Sequence, residues 1–356
     1  MRVLHLISEM GTGGAETLTM EMVQRGVDVG WTSAVASNGG CRAEQLRRDG
    51  VTLFDVPLAK RSVRGVLRAR SAAARAVSSF RPDIIVAHGV STTTVAWLVR
   101  PSAPVVTVFH GVRDSDYRAS ALILSIVGHK VVTVAEAIAN RLRTAGLRRV
   151  STAVIRNSIS VLPAPTLEER TTARGLLSVD GEMPVALCVA RMESQKRHDV
   201  LLDAWGRLDY GLLLLAGDGS RRAELEALAE PLGGRVRFLG TRDDVRVLLA
   251  AADVTVLTSD WEGLPIAVLE SLAADRPVVA CDVDGVREVL GDGGGRLVPA
   301  GDADAVADAL DDLLRDEQSR QVEAELGRAT LRRAFDAGQM IQAYDKLFRT
   351  ILREKV

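Results

Sequence analysis

Short runs of β-branched and other apolar residues recur along the first half of the chain, at Val3–Ile7, Val29–Ala36, Asp83–Ala87, Val105–Phe109, Val131–Val134 and Ala153–Ile155. Longer stretches with helical spacing separate most of them, among them Ser62–Phe80 and Ala135–Ala145. Strand alternating with helix predicts a parallel sheet covered on both faces. The Pro-rich segment Val161-Leu-Pro-Ala-Pro-Thr166 then reads as a linker. Beyond it the alternation starts afresh, at Val185–Ala190, Leu212–Ala216, Val236–Leu239, Val254–Leu257 and Pro277–Cys281. Leu212–Ala216 is unbroken apolar, as a strand buried on both faces requires. Near the C-terminus, Met340, Ile341, Tyr344, Leu347, Phe348 and Ile351 follow a helical repeat across 338–355. The pattern predicts an α/β protein of two Rossmann-like domains facing a central cleft, with ligands at the carboxyl ends of the strands. The expected domains are 1–162 and 163–339, with residues 340–356 returning as a helix to the first.

Composition narrows the class. A chain of 356 residues suits two domains, and 47% apolar with 26% charged residues is the balance of an ordinary folded protein. No run approaches the roughly 18 uncharged apolar residues that a membrane span needs, and the opening residues read as a strand rather than a leader. Cys41, Cys188 and Cys281 stand at unrelated spacings that suit neither a metal site nor a disulfide framework, which fits a reducing cytoplasm. Charge is unevenly spread: residues 1–160 hold 21 Lys and Arg against 11 Asp and Glu, and 161–356 hold 24 against 35. Either one half meets an anionic partner or the excess sits on solvated helix faces.

The candidate chemistry clusters after the predicted strands. Ser259-Asp-Trp-Glu-Gly-Leu-Pro-Ile-Ala-Val-Leu-Glu270 places Glu262 and Glu270 around Gly263, Leu264 and Pro265. Glycine lets a ligand approach the backbone, and proline in a first turn starts a helix whose free N–H groups attract phosphate. The spacing of the two acids proves nothing by itself, because 46 acidic residues among 356 give roughly half a dozen such pairs by chance. Eight helical residues rise about 12 Å, so the two carboxylates would touch opposite ends of one extended ligand rather than one atom. Arg191 and Lys196 follow the first strand of the second half, where two cations can clamp a diphosphate. Gly217-Asp-Gly219 ends the next strand in a tight turn. Gly11-Thr-Gly-Gly-Ala-Glu16 opens a helix after the first strand, but the dinucleotide fingerprint needs Gly where Glu16 stands. It remains either a site for a polar ligand or a tight packing turn.

Together Gly13-Gly-Ala-Glu16, His110-Gly111, Ile155-Arg-Asn157, Arg191 with Lys196, Gly217-Asp-Gly219 and Glu262-Gly-Leu-Pro to Glu270 resemble the retaining glycosyltransferases of family GT4. The resemblance runs over nearly the whole chain and is strongest in its second half. It implies a GT-B fold whose first domain mainly binds the acceptor and whose second holds a nucleotide sugar. Arg191 and Lys196 would then hold the diphosphate, Glu270 the ribose hydroxyls, and Glu262 with the backbone of Gly263 and Leu264 the transferred sugar. Gly13 and Gly14 would approach the donor phosphates, with Gly217 beside them, and His110 would lie near the 6-position of the sugar. Similar enzymes need no metal or other cofactor, because cations and a helix dipole stabilise the departing phosphate.

Ser158 and Asp284 replace glycines usual in that family, and Asp275 replaces a helix-ending glycine. The first helix, from Ala15 to about Arg25, looks shorter than usual. His5, His88, His129 and His198 show no metal-like spacing and are taken as structural. The basic run Lys60-Arg-Ser-Val-Arg64 with Arg68, Arg70 and Arg75 allows contact with an anionic membrane at its cytoplasmic face, or forms a solvated helix face over Val63, Val66, Leu67 and Ala74. Nucleic acid is not expected as a partner, since aromatics are only 4% and none interleave with these charges. The expected activity is transfer of a hexose-type sugar from a nucleotide sugar to a hydroxyl acceptor, either a lipid-linked or polysaccharide precursor or a small molecule. A sugar-nucleotide epimerase and a non-catalytic nucleotide-sugar-binding module are the alternatives.

Overall fold

Two parallel sheets carry the chain in a computed structural model that describes residues 1–58 and 63–354. The chain divides into one unit of Met1–Ser160 with Ala337–Val356 and a second of Val161–Asp336. The first unit runs β1 (Arg2–Leu6), α1 (Gly14–Gly26), β2 (Thr32–Ser37), α2 (Cys41–Arg48), β3 (Thr52–Asp55), α3 (Val63–Phe80), β4 (Ile84–His88), α4 (Val90–Val99), β5 (Val105–Phe109), α5 (Tyr117–Val127), β6 (Lys130–Thr133), α6 (Glu136–Thr144) and β7 (Ser151–Val154). Its sheet order is β3-β2-β1-β4-β5-β6-β7. The carboxyl ends of β1 and β4, adjacent in space but not in sequence, mark the point where the winding reverses and ligands bind in such sheets.

The second unit repeats the scheme with α7 (Leu167–Leu176), β8 (Val185–Val189), α8 (His198–Gly206), β9 (Leu212–Ala216), α9 (Arg222–Ala229), β10 (Val236–Gly240), α10 (Val245–Ala251), β11 (Val254–Leu257), α11 (Ile266–Ala273), β12 (Val278–Cys281), α12 (Asp284–Leu290), β13 (Gly295–Val298), α13 (Ala303–Arg315) and α14 (Glu317–Ala334). Its order is β10-β9-β8-β11-β12-β13, so the reversal falls between β8 and β11. The central strands are buried on both faces, in keeping with the unbroken apolar sequence of β9 and the single buried threonine, Thr255, in β11. The last helix, α15 (Ala337–Glu354), joins the first unit. Its Phe348 ring lies 5.1 Å from that of Trp31, whose indole N–H donates to Asp345 at 2.9 Å. Full burial of a side chain such as Phe348 contributes roughly 1.5–3 kcal/mol, which ties both ends of the chain to one core.

Several sequence expectations change. Residues 27–29 form a 3-10 turn closed by Gly30 at φ +80°, so β2 begins at Thr32 rather than Val29. α2, β3 and β13 were not foreseen. α3 packs through Ala69, Ala72, Ala73, Ala76 and Phe80, whereas Leu67, expected on the sheet, is exposed. Lys60, Arg61 and Ser62 of the basic run, and Lys355 of the last helix, lie outside the described residues. Among the described residues no helix is long and apolar enough to cross a membrane.

Candidate active site

In the second unit the loops leaving β8 and β9 lie backbone against backbone. Ala190 N–H donates to Ala216 O at 3.0 Å and Met192 N–H to Asp218 O at 2.9 Å. A Cβ on Gly217, at φ +144°, would stand 2.0 Å from Ala190 O, and one on Gly219 2.5 Å from Met192 O. Both glycines of the Gly217-Asp-Gly219 turn are therefore demanded by packing. They hold Arg191 at the carboxyl end of β8, where its carbonyl accepts from Glu193 N–H at 2.8 Å and its exposed guanidinium makes no hydrogen bond or ion pair among the described residues. Nearby, Glu193 accepts from both the backbone N–H and the hydroxyl of Ser220, which pulls its carboxyl below the usual range.

A 3-10 turn at Ser194–Lys196 leads into α8 and is stitched to the loop after β11. The Thr258 hydroxyl faces Lys196 O at 3.1 Å and Arg197 O at 2.9 Å, the Gln195 amide donates to Trp261 O at 2.8 Å, and Asp260 N–H donates to Gln195 O at 2.9 Å. Lys196 Nζ thereby meets Glu262 Oε1 at 2.5 Å, with side chains only 15% and 7% exposed. The two residues stand 66 positions apart in sequence. A carboxylate has about four lone-pair sites and an ammonium three donors, so this pair retains capacity for a ligand. Behind it, burial pushes the Cys188 thiol up to about 12 and brings His198 down to about 4, with the Lys196 charge adding to the latter. Neither group offers a nucleophile or an acid at neutral pH.

Pro265 caps α11 with ψ 113° instead of standing inside its first turn, so the helix begins at Ile266. Glu262 therefore precedes the helix, and only four of the eight steps to Glu270 are helical, about 6 Å of rise. Gly263 and Leu264 are buried at the start of α11. Their backbone is wedged against α12: a Cβ on Gly285 would lie 1.7 Å from Gly263 O. Glu270 is half-buried on α11, one turn into the helix.

In the first unit α1 starts at Gly14 with Gly13 as its cap residue. A Cβ on Gly13 would fall 2.4 Å from Glu16 Oε2, so the acid that breaks the dinucleotide fingerprint folds back over the helix start. Arg42 donates to Gly13 O at 3.2 Å. Gly40, at φ +124°, passes so near Met10 that a Cβ would lie 2.4 Å from its carbonyl oxygen. The adjacent glycines 39 and 40 were the sequence signal for that contact.

His110 directly follows β5, half-buried, and the other two histidines of the group, His88 and His5, stand behind it. His110 Nε2 is 3.4 Å from His88 Nδ1, and His88 Nε2 is 3.4 Å from His5 Nδ1. The rings stack with centroids 5.6 and 5.7 Å apart. Burial holds His110 at about 4 and His5 at about 3, and His88 well below its usual value, where both neighbouring rings add to burial. All three are neutral near pH 7. The missed signal was a histidine in each of two central strands whose other buried residues are apolar. No cluster of three or more potential metal ligands occurs among the described residues.

Comparison with known proteins decides the family. A family model described as Glycosyltransferase Family 4 matches residues 12–161, and one described as Glycosyl transferases group 1 matches residues 183–316. The chain belongs to the GT4 glycosyltransferases. The lipopolysaccharide core biosynthesis glycosyltransferase LpsE of Rhizobium meliloti (strain 1021) is 38% identical over 177 residues, 49% of this chain and 52% of that one. LpsD of the same organism, described in the same words, is 28% identical over 98% of each chain. Several curated relatives, LpsE among them, are thus matched over about half their length or less. In fold the chain is similar to Anabaena HepE, solved in complex with UDP-glucose: TM-score 0.86 over 98% of this chain and 100% of that one, at 21% identity. That likeness gives the GT-B fold.

The departures from the GT4 pattern acquire places. Asp275 adopts the left-handed conformation, φ +57°, that a helix-ending glycine normally takes, and its carboxylate accepts from Arg328 Nε at 2.5 Å. Ser158 is buried and its hydroxyl donates to Arg156 O at 3.3 Å. Asp284 opens α12, beside the Gly285 that packs on Gly263. A carboxylate is electrostatically favoured at a helix N-terminus.

Proposed function

We propose that this GT4 protein transfers a hexose from UDP-hexose to a hydroxyl of a lipid-linked saccharide, with retention at the anomeric carbon and without a metal ion. The observation that carries the reading is an exposed, unpaired Arg191 at the carboxyl end of β8, with the Lys196–Glu262 pair fixed next to it at the β8/β11 reversal. Arg191 and Lys196 hold the diphosphate, and their charge stabilises the phosphate as it departs. Glu262 Oε2 and the Gly263–Leu264 backbone hold the sugar, Glu270 the ribose, and Gly217 lets the phosphates come close. In the first unit, Gly13 and Gly14 offer backbone to the donor and His110 takes a substrate hydroxyl. UDP is favoured as the nucleotide because HepE was solved with UDP-glucose, and the acceptor class because LpsE and LpsD serve lipopolysaccharide core biosynthesis. Exposed Arg64, Arg68 and Arg75 on α3 would bring the enzyme to an anionic lipid surface at the cytoplasmic face.

Thermal melting against UDP, GDP, ADP, TDP and their sugars tests the donor. At a hundredfold excess over Kd the right ligand stabilises the folded state by about 2.7 kcal/mol. Calorimetry should then show UDP binding weakened 10- to 100-fold by Arg191→Ala, as expected for one charge-assisted contact worth about 1.5–3 kcal/mol. No shift with any nucleotide diphosphate, or unchanged UDP affinity in Arg191→Ala, refutes the site. Turnover in the presence of EDTA and the anomer of the product test the two mechanistic claims.

A further inference from the structure

His110 reaches substrate, on the proposed reading, through a ring whose far side is committed to protein. A neutral imidazole carries one proton, and which nitrogen bears it decides whether the substrate-facing nitrogen donates or accepts. The contacts behind His110 run through His88 to the ring of His5 and to one hydroxyl, and of these two only the hydroxyl has its proton fixed independently. Thr19 Oγ1, on α1, donates to Ala15 O at 2.8 Å, the usual back-bond of a helical threonine. Its one proton is thus used. The same oxygen lies 3.3 Å from His88 Nε2 and can only accept there, so Nε2 of His88 carries the hydrogen. His88 Nδ1 is then bare. It faces His110 Nε2 at 3.4 Å, and two opposed lone pairs are avoided only if His110 is protonated at Nε2.

His5 fits the same order. Its Nδ1 lies 3.4 Å from the His88 Nε2–H and accepts, which leaves its proton on a buried Nε2 that has no partner. A buried N–H without an acceptor is costly, on the order of 1–3 kcal/mol, and is retained only where something else requires the arrangement.

We propose that Thr19 and His88 are positioning residues that hold His110 as its Nε2–H tautomer, leaving Nδ1 bare to accept a hydrogen bond from a substrate hydroxyl. The inference rests on the transferase reading for its purpose but not for its geometry. It assigns the substrate group as a donor, a hydroxyl, and makes His110 unable to donate to a phosphate or carbonyl oxygen through Nδ1.

The test is nitrogen NMR of the imidazoles in protein labelled only at histidine, a tractable spectrum because the chain has five histidines. It is recorded without substrate, with assignment by single His→Gln variants. The expected result is a bare Nδ1 and a protonated Nε2 at His110 in the wild type and in Thr19→Ser, which keeps the hydroxyl. Thr19→Val should shift His110 towards the other tautomer, lower turnover about tenfold with donor KM little changed, and be rescued by serine. A His110 protonated at Nδ1 in the wild type, or the same ring pattern in Thr19→Val, overturns the proposal. So does unaltered turnover in a Thr19→Val enzyme whose tautomer has changed. A wild type that turns over no UDP-hexose counts against the transferase reading instead, since the ring spectra are read without donor.

Discussion

Acidification should weaken the first unit before carboxylate chemistry begins. His5 and His88 are fully or nearly fully buried and neutral in the fold, with His110 half-buried beside them. Each would hold a proton in the unfolded chain below about pH 6.5. The sign follows: the unfolded state binds more protons, so stability is complete above about 6.5 and is lost as pH falls towards 3–4. Between pH 6.5 and 5.5 a histidine neutral in the fold costs about 1 kcal/mol by this linkage. His5 and His88 together cost about 2 kcal/mol, and His110, being partly solvated, up to about 1 more. In the second unit His198, at about 4, contributes about 1 kcal/mol on the same arithmetic. In an unfolded chain Asp and Glu titrate near pH 4, more than a unit below this window, so proton uptake there belongs mainly to histidine. Hydrogen exchange by mass spectrometry, corrected for the intrinsic rate change, reads the opening free energy of β1, β4 and β5 peptides at both pH values. A loss below about 1 kcal/mol in those peptides refutes the neutral stack.

Two other outcomes are expected. Glu262→Ala strands a Lys196 ammonium that is only 15% exposed, and should cost about 3 kcal/mol in chemical denaturation, whereas Arg191→Ala, at an exposed unpaired residue, should leave the midpoint unmoved. Gly285→Ala forces a methyl to within 1.7 Å of Gly263 O, so activity with UDP-hexose should fall more than tenfold while far-UV circular dichroism stays native; full activity would show that the Gly263–Leu264 backbone has no part in holding the sugar.

How much was legible in the residues depends on burial. β5, β9 and β11 match their β-branched and apolar runs residue for residue, because a central parallel strand is buried on both faces and carries few polar residues. The edge strands β3 and β13 escaped notice: Thr-Leu-Phe-Asp and Gly-Arg-Leu-Val are half-solvated and short, so their pattern resembles a loop. At the site, Arg191, Lys196 and Glu262 were individually visible as polar residues beyond strand ends. The pairing of Lys196 with Glu262 was not, since it is made by the β8–β11 adjacency across 66 residues of chain. The histidine stack was hidden for the same reason, His5 and His88 being 83 residues apart. Periodicity reports which way a side chain faces, not whom it meets.

The return of α15 to the first unit also has a meaning for synthesis. Residues 161–336 can close their own sheet while the ribosome still holds the last helix, but Trp31 and the outer face of α1 must wait for Tyr344 and Phe348 to emerge. The half of the protein made first is thus finished last. Until that moment Trp31 and the part of α1 that α15 covers lie open to solvent.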